Sequence, residues 1–294
     1  MRKNMKGILY AFLASVIYGI VPLTSKLIIS DGTVSESAML GWRFLFASFF
    51  GLLVIFVNRV PIRPTRTQAR DILLFGVVGT LLTSLLLTRS YRYIDLGLAT
   101  VCHFFYPIAV CIIMRIFFRE KLSSLGICAV LVTGAALVIL ASHSGASSLL
   151  GMGIAVISGI FWASYLVAFE KASYARMNQN VAVFWIMFGN SVLCILMSIL
   201  QKEFGLPSIS KFLLLCLSAL MMTGAMLLTV KAISLCGPTM TAFISLFEPI
   251  TAVITDMIVY HAFPDIIQTA GYLLMGLAIV LITMKDDRSV HDTE

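Results

Sequence analysis

The chain has 294 residues, of which 60% are hydrophobic and only 12% charged. Soluble domains carry about twice that share of charge and less apolar content, so a water-soluble globule, a disordered chain and a disulfide scaffold are all excluded. The net charge of +7 comes from basic residues at the ends of apolar runs, without interleaved aromatics, which argues for membrane topology and against nucleic-acid binding.

A bilayer core of about 30 Å needs roughly 20 apolar residues in a helix. Such runs fall at about 7–30, 36–58, 70–90, 94–118 and 122–142. After the small, uncharged link Ser142–Ser148 they resume at about 149–171, 179–200, 211–232, 237–261 and 265–284. The first run follows Arg2, Lys3 and Lys6 as a signal peptide would, but it is too long for one and is expected to be retained as a span. The fold class is therefore an all-α membrane protein with ten spans and a short tail at 286–294. With the N-terminus cytoplasmic, the inside segments hold 14 of the 21 lysines and arginines. The outside loops hold four (Arg89, Arg92, Lys202, Lys211), and Lys26, Arg43 and Arg115 lie within spans. That bias places both termini in the cytoplasm. The six cysteines form no CxxC pair or Cys/His cluster, so neither a metal site nor a cofactor is expected.

The two halves correspond. Shifting the first span by 144 positions lays Gly7 on Gly151, Ala11 on Ala155 and Tyr18-Gly19 on Trp162-Ala163. Shifting the fourth by 142 lays Phe105-Tyr106-Pro107 on Phe247-Glu248-Pro249 and Gly134 on Gly276. Five spans per half is an odd number, so a duplicated second half (149–285) sits upside down relative to the first (6–142). Inverted repeats with broken helices are the build of secondary transporters. Pro22, Pro107 and Pro249 are expected to interrupt their helices near mid-membrane.

These residues resemble the drug/metabolite transporter superfamily, in particular its EamA-type bacterial members. The likeness is carried by Gly7 through Lys26 and Gly151 through Lys171, which open the repeats, and by Trp42-Arg43-Phe44. It is carried also by Phe105-Tyr106-Pro107 with Arg119-Glu120-Lys121-Leu122-Ser123, and by Leu246-Phe247-Glu248-Pro249. It covers about residues 6–285. The sequence departs from the pattern at Arg119, where the family has glycine, and at His261-Ala262-Phe263, where the second-half acidic turn is replaced. The resemblance implies a solute carrier, often an exporter, with a central cavity lined mainly by the first, third, fourth, sixth, eighth and ninth spans. It implies no particular substrate.

An ionisable side chain at hydrocarbon depth costs roughly 2.5–3.5 kcal/mol on insertion scales, so each one needs a reason. Glu248 lies near the middle of the ninth span, with Ser245 one turn before it. It is either a ligand for a substrate cation or a proton carrier, or else a protonated or arginine-paired residue that locks two helices together. His103, one turn before Tyr106-Pro107, is either a hydrogen-bonded packing residue or a carrier of coupling protons. Arg43, about 10 Å inside the second span, meets an anionic substrate, snorkels outward, or pairs with a carboxylate such as Asp95. Arg115 and Asp256 are gate or anchor charges, and Lys26 and Glu170 end their spans. Tyr18, Tyr106, Trp162 and Tyr165 carry a polar tip on a large apolar body, which suits the wall of a cavity.

No GxxxxGK[ST], HExxH or GxSxG pattern is present, so the sequence offers no ATP drive and no hydrolytic nucleophile. A repeated channel filter is also missing. The reading is a secondary transporter of the cytoplasmic membrane, not an enzyme. Its partners are lipid and a small amphiphilic metabolite such as an amino acid, moved alone, in exchange or against protons. Phosphorylated substrates are disfavoured, because mid-membrane arginine is limited to Arg43 and Arg115. Oligomeric state is open.

Overall fold

The computed structural model describes residues 2–29, 32–90, 92–94, 96–143, 148–261 and 263–291; at 2, 3, 22, 26, 29, 96, 97, 143, 256, 260 and 285–291 only the backbone is described. Every regular element among the described residues is helical. This is the expected outcome in hydrocarbon, where a helix satisfies its backbone hydrogen bonds internally. In chain order the helices are α1 (Arg2–Ile29), α2 (Glu36–Val57), α3 (Arg66–Asp71), α4 (Val78–Ser90), α5 (Leu96–His103) and α6 (Tyr106–Phe117). They continue as α7 (Ser124–His143), α8 (Leu149–Lys171), α9 (Gln179–Leu200), α10 (Ile209–Ile244), α11 (Phe247–Tyr260) and α12 (Ile266–His291). Nine stretches among the described residues are long and apolar enough to cross a membrane.

Short polar connections start the helices. Ser35 accepts from the Ala38 N–H, Ser148 from Gly151 and Asn178 from Asn180, each satisfying an orphan first-turn donor. Thr65 and Gln68 close a reciprocal capping box at the start of α3. Between α3 and α4 the chain takes a π-helical turn, Ile72–Val77, so that α3, this turn and α4 form one span, Arg66–Ser90.

The helical runs break at three places. α5 stops at His103, Phe104 and Phe105 turn, and α6 restarts with Pro107 as its second residue, where a missing N–H is harmless. α10 ends at Ile244, Ser245 and Leu246 turn, and α11 restarts with Pro249 as its third residue. The third break lies inside α10. At 36 residues this helix would be about 54 Å long, too long for one crossing, and Gly237 leaves the helix at φ 78°, ψ 166° with Pro238 next. Pro22, by contrast, lies within the unbroken helical run of α1, so the interruption expected there does not occur. A proline removes one N–H and one hydrogen bond, and a membrane helix tolerates that loss when its neighbours hold it.

The helices pack in pairs. α1 lies against α10 and α11, α8 against α4, α5 and α6, α2 against α9, and α7 against α12. Glycines make these contacts close. A Cβ at Gly7 would stand 3.0 Å from Leu235 and Cys236; one at Gly151 would stand 2.7 Å from Tyr93 and 3.0 Å from Ile94. α12 runs on to His291, so residues 286–291 extend the last helix and 292–294 lie outside the described residues, as does 144–147 of the central link.

Candidate functional site

Two helices, α1 and α8, run past the broken helices, and the candidate residues gather where they pass. Ser15 on α1 donates to the Ala11 carbonyl of its own helix at 2.6 Å, and its Oγ also lies 3.3 Å from the Ile244 carbonyl, which the α10–α11 break frees from its ladder. Four residues on, a Cβ at Gly19 would meet the Glu248 carbonyl at 2.7 Å. On α8, Gly159 lets the His103 carbonyl approach so closely that any Cβ would collide with it. The turn at each break is thereby pressed against a neighbouring helix.

Glu248 occupies the first turn of α11, half-buried. No hydrogen bond or ion pair reaches its carboxylate among the described residues. It therefore does not lock to an arginine, one of the two structural roles named above; a protonated, helix-packing glutamate is the other. The Tyr18 and Tyr106 hydroxyls lie within electrostatic reach of it, and Tyr18 also stands beside Thr229 of α10. Ser245 turns back on its own helix, donating to the Thr241 carbonyl at 3.0 Å.

His103 is the last residue of α5. Its Nδ1 shares a 2.8 Å hydrogen bond with Ser158 Oγ of α8, while Ser158 Oγ donates to the Ala155 carbonyl at 2.6 Å. With the serine hydrogen so used, the ring nitrogen is the donor, and Nε2 of the neutral imidazole becomes an acceptor. The ring lies 5.6 Å from that of Tyr106.

The aromatic residues form a ladder down α8. Tyr18 meets Trp162 edge-on at 6.3 Å, Trp162 stacks on Tyr165 at 4.8 Å, and Phe169 and Tyr174 follow at 5.0 and 5.1 Å. Tyr106, Tyr165 and Tyr174 are almost wholly buried, and among the described residues none of their hydroxyls meets full hydrogen-bond geometry, although that of Tyr106 stands beside Ser245. At Tyr174, in the turn after α8, burial pushes the phenol well above its usual range and the Asp71 carboxylate pushes it further.

Arg43 stands apart. Buried on α2, it donates from Nη1 to Ser25 Oγ at 2.7 Å. Ser25 is seven residues beyond Tyr18 on α1, about 10 Å along the axis. The Ser25 partner of Arg43 thus lies on α1 about two turns from Tyr18, away from the α10–α11 break. Asp95 and the side chain of Asp256 lie outside the described residues; Arg115 is exposed at the end of α6.

At the far end of α8 a cavity of about 200 Å³ is lined by Glu120, Lys121, Glu170, Cys236, Gly237 and Pro238, among others. Lys171 spans its rim, with Nζ 2.9 Å from both Glu120 and Glu170 and above the Phe118 ring. Each partly exposed pair contributes about 0–1 kcal/mol to stability. Two features escaped the sequence reading, the Ser158 partner of His103 and the Lys171 bridge, and neither had a local signal. The boundary expected between 232 and 237 falls at the non-helical Gly237 beside Pro238.

Nine apolar stretches of spanning length among the described residues, with broken helices beside a half-buried carboxylate and a wall of aromatics, are the build of a multi-pass membrane protein. The chain belongs to the EamA-like transporter family, whose profile matches residues 5–142 and again 149–284. A curated relative, the uncharacterized inner membrane transporter YicL of Salmonella typhimurium (strain LT2), is 24% identical over 298 residues, covering 98% of each chain. A protein of known crystal structure superposes with a TM-score of 0.79 over 96% of this chain and 98% of its own. Its sequence is 16% identical, so that likeness concerns the fold. The chain is a multi-pass membrane transporter, and transport rather than catalysis is the activity the family assigns.

Truncating the aromatic wall tests its place in the pathway. Trp162→Ala removes the ring between Tyr18 and Tyr165 and is expected to raise the apparent KM several-fold, with the expression level kept. An unchanged KM in concentration-dependent uptake would return Trp162 to plain packing.

Proposed function

We propose that this chain is a secondary transporter of the cytoplasmic membrane that exports a small amphiphilic metabolite, such as an amino acid, by alternating access. The observation that carries the reading is the unpaired Glu248 carboxylate at a helix break, faced by the Tyr18 and Tyr106 hydroxyls. A buried charge without a partner is costly, and function is its default reason in a membrane. His103, Trp162, Tyr165 and Ser245 complete the site, with Arg43 serving α1–α2 packing.

Ten spans follow if α10 is divided at Gly237, and they group as inverted units over 6–142 and 149–285, with both termini cytoplasmic. The packing supports this grouping. Gly7 meets Leu235 and Cys236 while Gly151 meets Tyr93 and Ile94, the same contact displaced by 144 positions on one side and 142 on the other. Gly126 likewise meets Ile282, and Gly271 meets Leu140. Each half can then adopt its twin's arrangement, which is the mechanical basis of rocking between two openings.

A second reading, exchange or facilitated passage of an organic cation, is favoured by the absence of any cationic partner for Glu248 among the described residues. Flux in proteoliposomes with a panel of amino acids and amines, with and without a pH gradient, separates the two. Saturable efflux of one class that grows with the gradient is the expected result. Stimulation by external substrate alone would indicate exchange. Absence of saturable flux for every solute would overturn the assigned substrate classes.

A further inference from the structure

The π-helical turn Ile72–Val77 and α9 leave a groove of about 490 Å³ between them on the outside of the bundle, distant from Glu248 and from α8's cavity. Its walls are apolar: Ile72, Leu73 and Val77 on one side, Trp185, Phe188 and Val192 on the other. Leu73, Phe188 and Val192 are 53%, 40% and 49% exposed, so the groove opens toward lipid. Gly189 forms its floor, since a Cβ there would stand 2.6 Å from Val77. One end is covered by the connection between α2 and α3, which the Trp185 indole pins by donating to the Ile62 carbonyl at 2.8 Å.

That connection is strongly basic. Arg59, Arg63 and Arg66 are all exposed, and none of their side chains has a hydrogen bond or ion pair among the described residues. Asp71 is the one acid between residues 37 and 94, and it is occupied by Arg70 (2.9 Å) and by the Ser173 N–H (3.2 Å). An apolar groove open to hydrocarbon thus ends at three unpaired guanidinium groups at the membrane surface. A ligand matching both parts has an acyl chain and an anionic head.

We propose that this groove is a binding site for an anionic phospholipid of the leaflet facing the α2–α3 connection, its chain lying between the π-turn and α9 and its phosphate on Arg63 and Arg66. Guanidinium suits phosphate because its planar fork donates two parallel hydrogen bonds. Arginines acting only as topology signals need neither a groove nor a selective lipid. The two accounts therefore differ in measurable terms.

The test uses the full-length protein in nanodiscs of equal parts phosphatidylglycerol and phosphatidylethanolamine, with retained lipid read by native mass spectrometry. Wild type is expected to retain phosphatidylglycerol preferentially. The double variant Arg63→Gln/Arg66→Gln lowers that retention about tenfold or more and leaves phosphatidylethanolamine unchanged. Ala69→Phe, on the exposed groove wall, lowers retention of both lipids. Equal retention of the two lipids by wild type overturns the proposal and requires no variant. So does undiminished phosphatidylglycerol in either variant, or displacement of the bound lipid by glycerol 3-phosphate, which would mark a site for soluble anions.

Discussion

Glu248→Gln is expected to leave the protein folded and to reduce transport about 10- to 100-fold. The fold survives because the carboxylate has no partner to abandon: no hydrogen bond or ion pair reaches it among the described residues. Glutamine keeps the shape and removes only a charge that burial disfavours. Transport suffers because a hydrogen bond to a charged group contributes about 1.5–3 kcal/mol, and that contribution is lost wherever the solute or a proton engages the carboxylate. The pattern of loss identifies the role. If Glu248 carries protons, the variant loses the dependence of flux on the pH gradient but retains substrate exchange. If it binds substrate directly, exchange and net flux fall together. Wild-type flux at every pH would retire Glu248 from the mechanism.

Gly237→Ala is the second substitution with a large expected effect. At φ 78° and ψ 166° the backbone lies in a region that glycine alone occupies comfortably, and forcing a Cβ into it costs on the order of 1–3 kcal/mol. Space is not the obstacle, since the nearest atom to the added Cβ is the flexible Glu170 Oε2 at 3.6 Å. The strain is relieved by straightening α10, which shifts the register of everything after it, including the break at Ser245 and the first turn of α11. We expect a lower unfolding midpoint in denaturant and transport reduced at least as much as by Glu248→Gln. Thr239→Ala, two residues on in a helical segment, serves as the control. Equal behaviour of the two variants would show that the kink has no special role.

The membrane spans were legible because each is an apolar run of the length the bilayer demands, bounded by residues such as Ser35, Ser148 and Asn178 that cap helices. Pairing between spans was less legible. The shared offset linked Gly7 to Gly151 in sequence, but their contacts with residues 235–236 and 93–94 exist only once the helices pack. The site divides similarly. Glu248, Tyr18 and Tyr106 stood out as polar tips at hydrocarbon depth, yet Ser158, which orients His103, is 55 residues away and looks like any other helix serine. Arg43 was equally ambiguous, because its Ser25 contact is a tertiary one. Pro22 and Pro107 carry the same chemistry, but α1 continues through the first whereas the chain before the second turns at Phe104–Phe105. The π-turn at Ile72–Val77 has no compositional mark at all.

The buried tyrosine hydroxyls bear on how a solute could be found before any flux is measured. Tyr106, Tyr165 and Tyr174 each hold a hydroxyl in the protein interior without a well-formed hydrogen bond among the described residues, and each such group costs about 1–3 kcal/mol. A molecule that supplies hydrogen bonds to the first two, which flank Tyr18, therefore recovers free energy that the empty chain lacks. Because stabilisation by a ligand grows as the logarithm of its concentration over Kd, reaching about 2.7 kcal/mol at a hundredfold excess over Kd, the cognate solute announces itself as a rise in melting temperature. A heat-denaturation screen of a metabolite library in detergent thus becomes a route to the cargo that requires no vesicle, no gradient and no knowledge of direction.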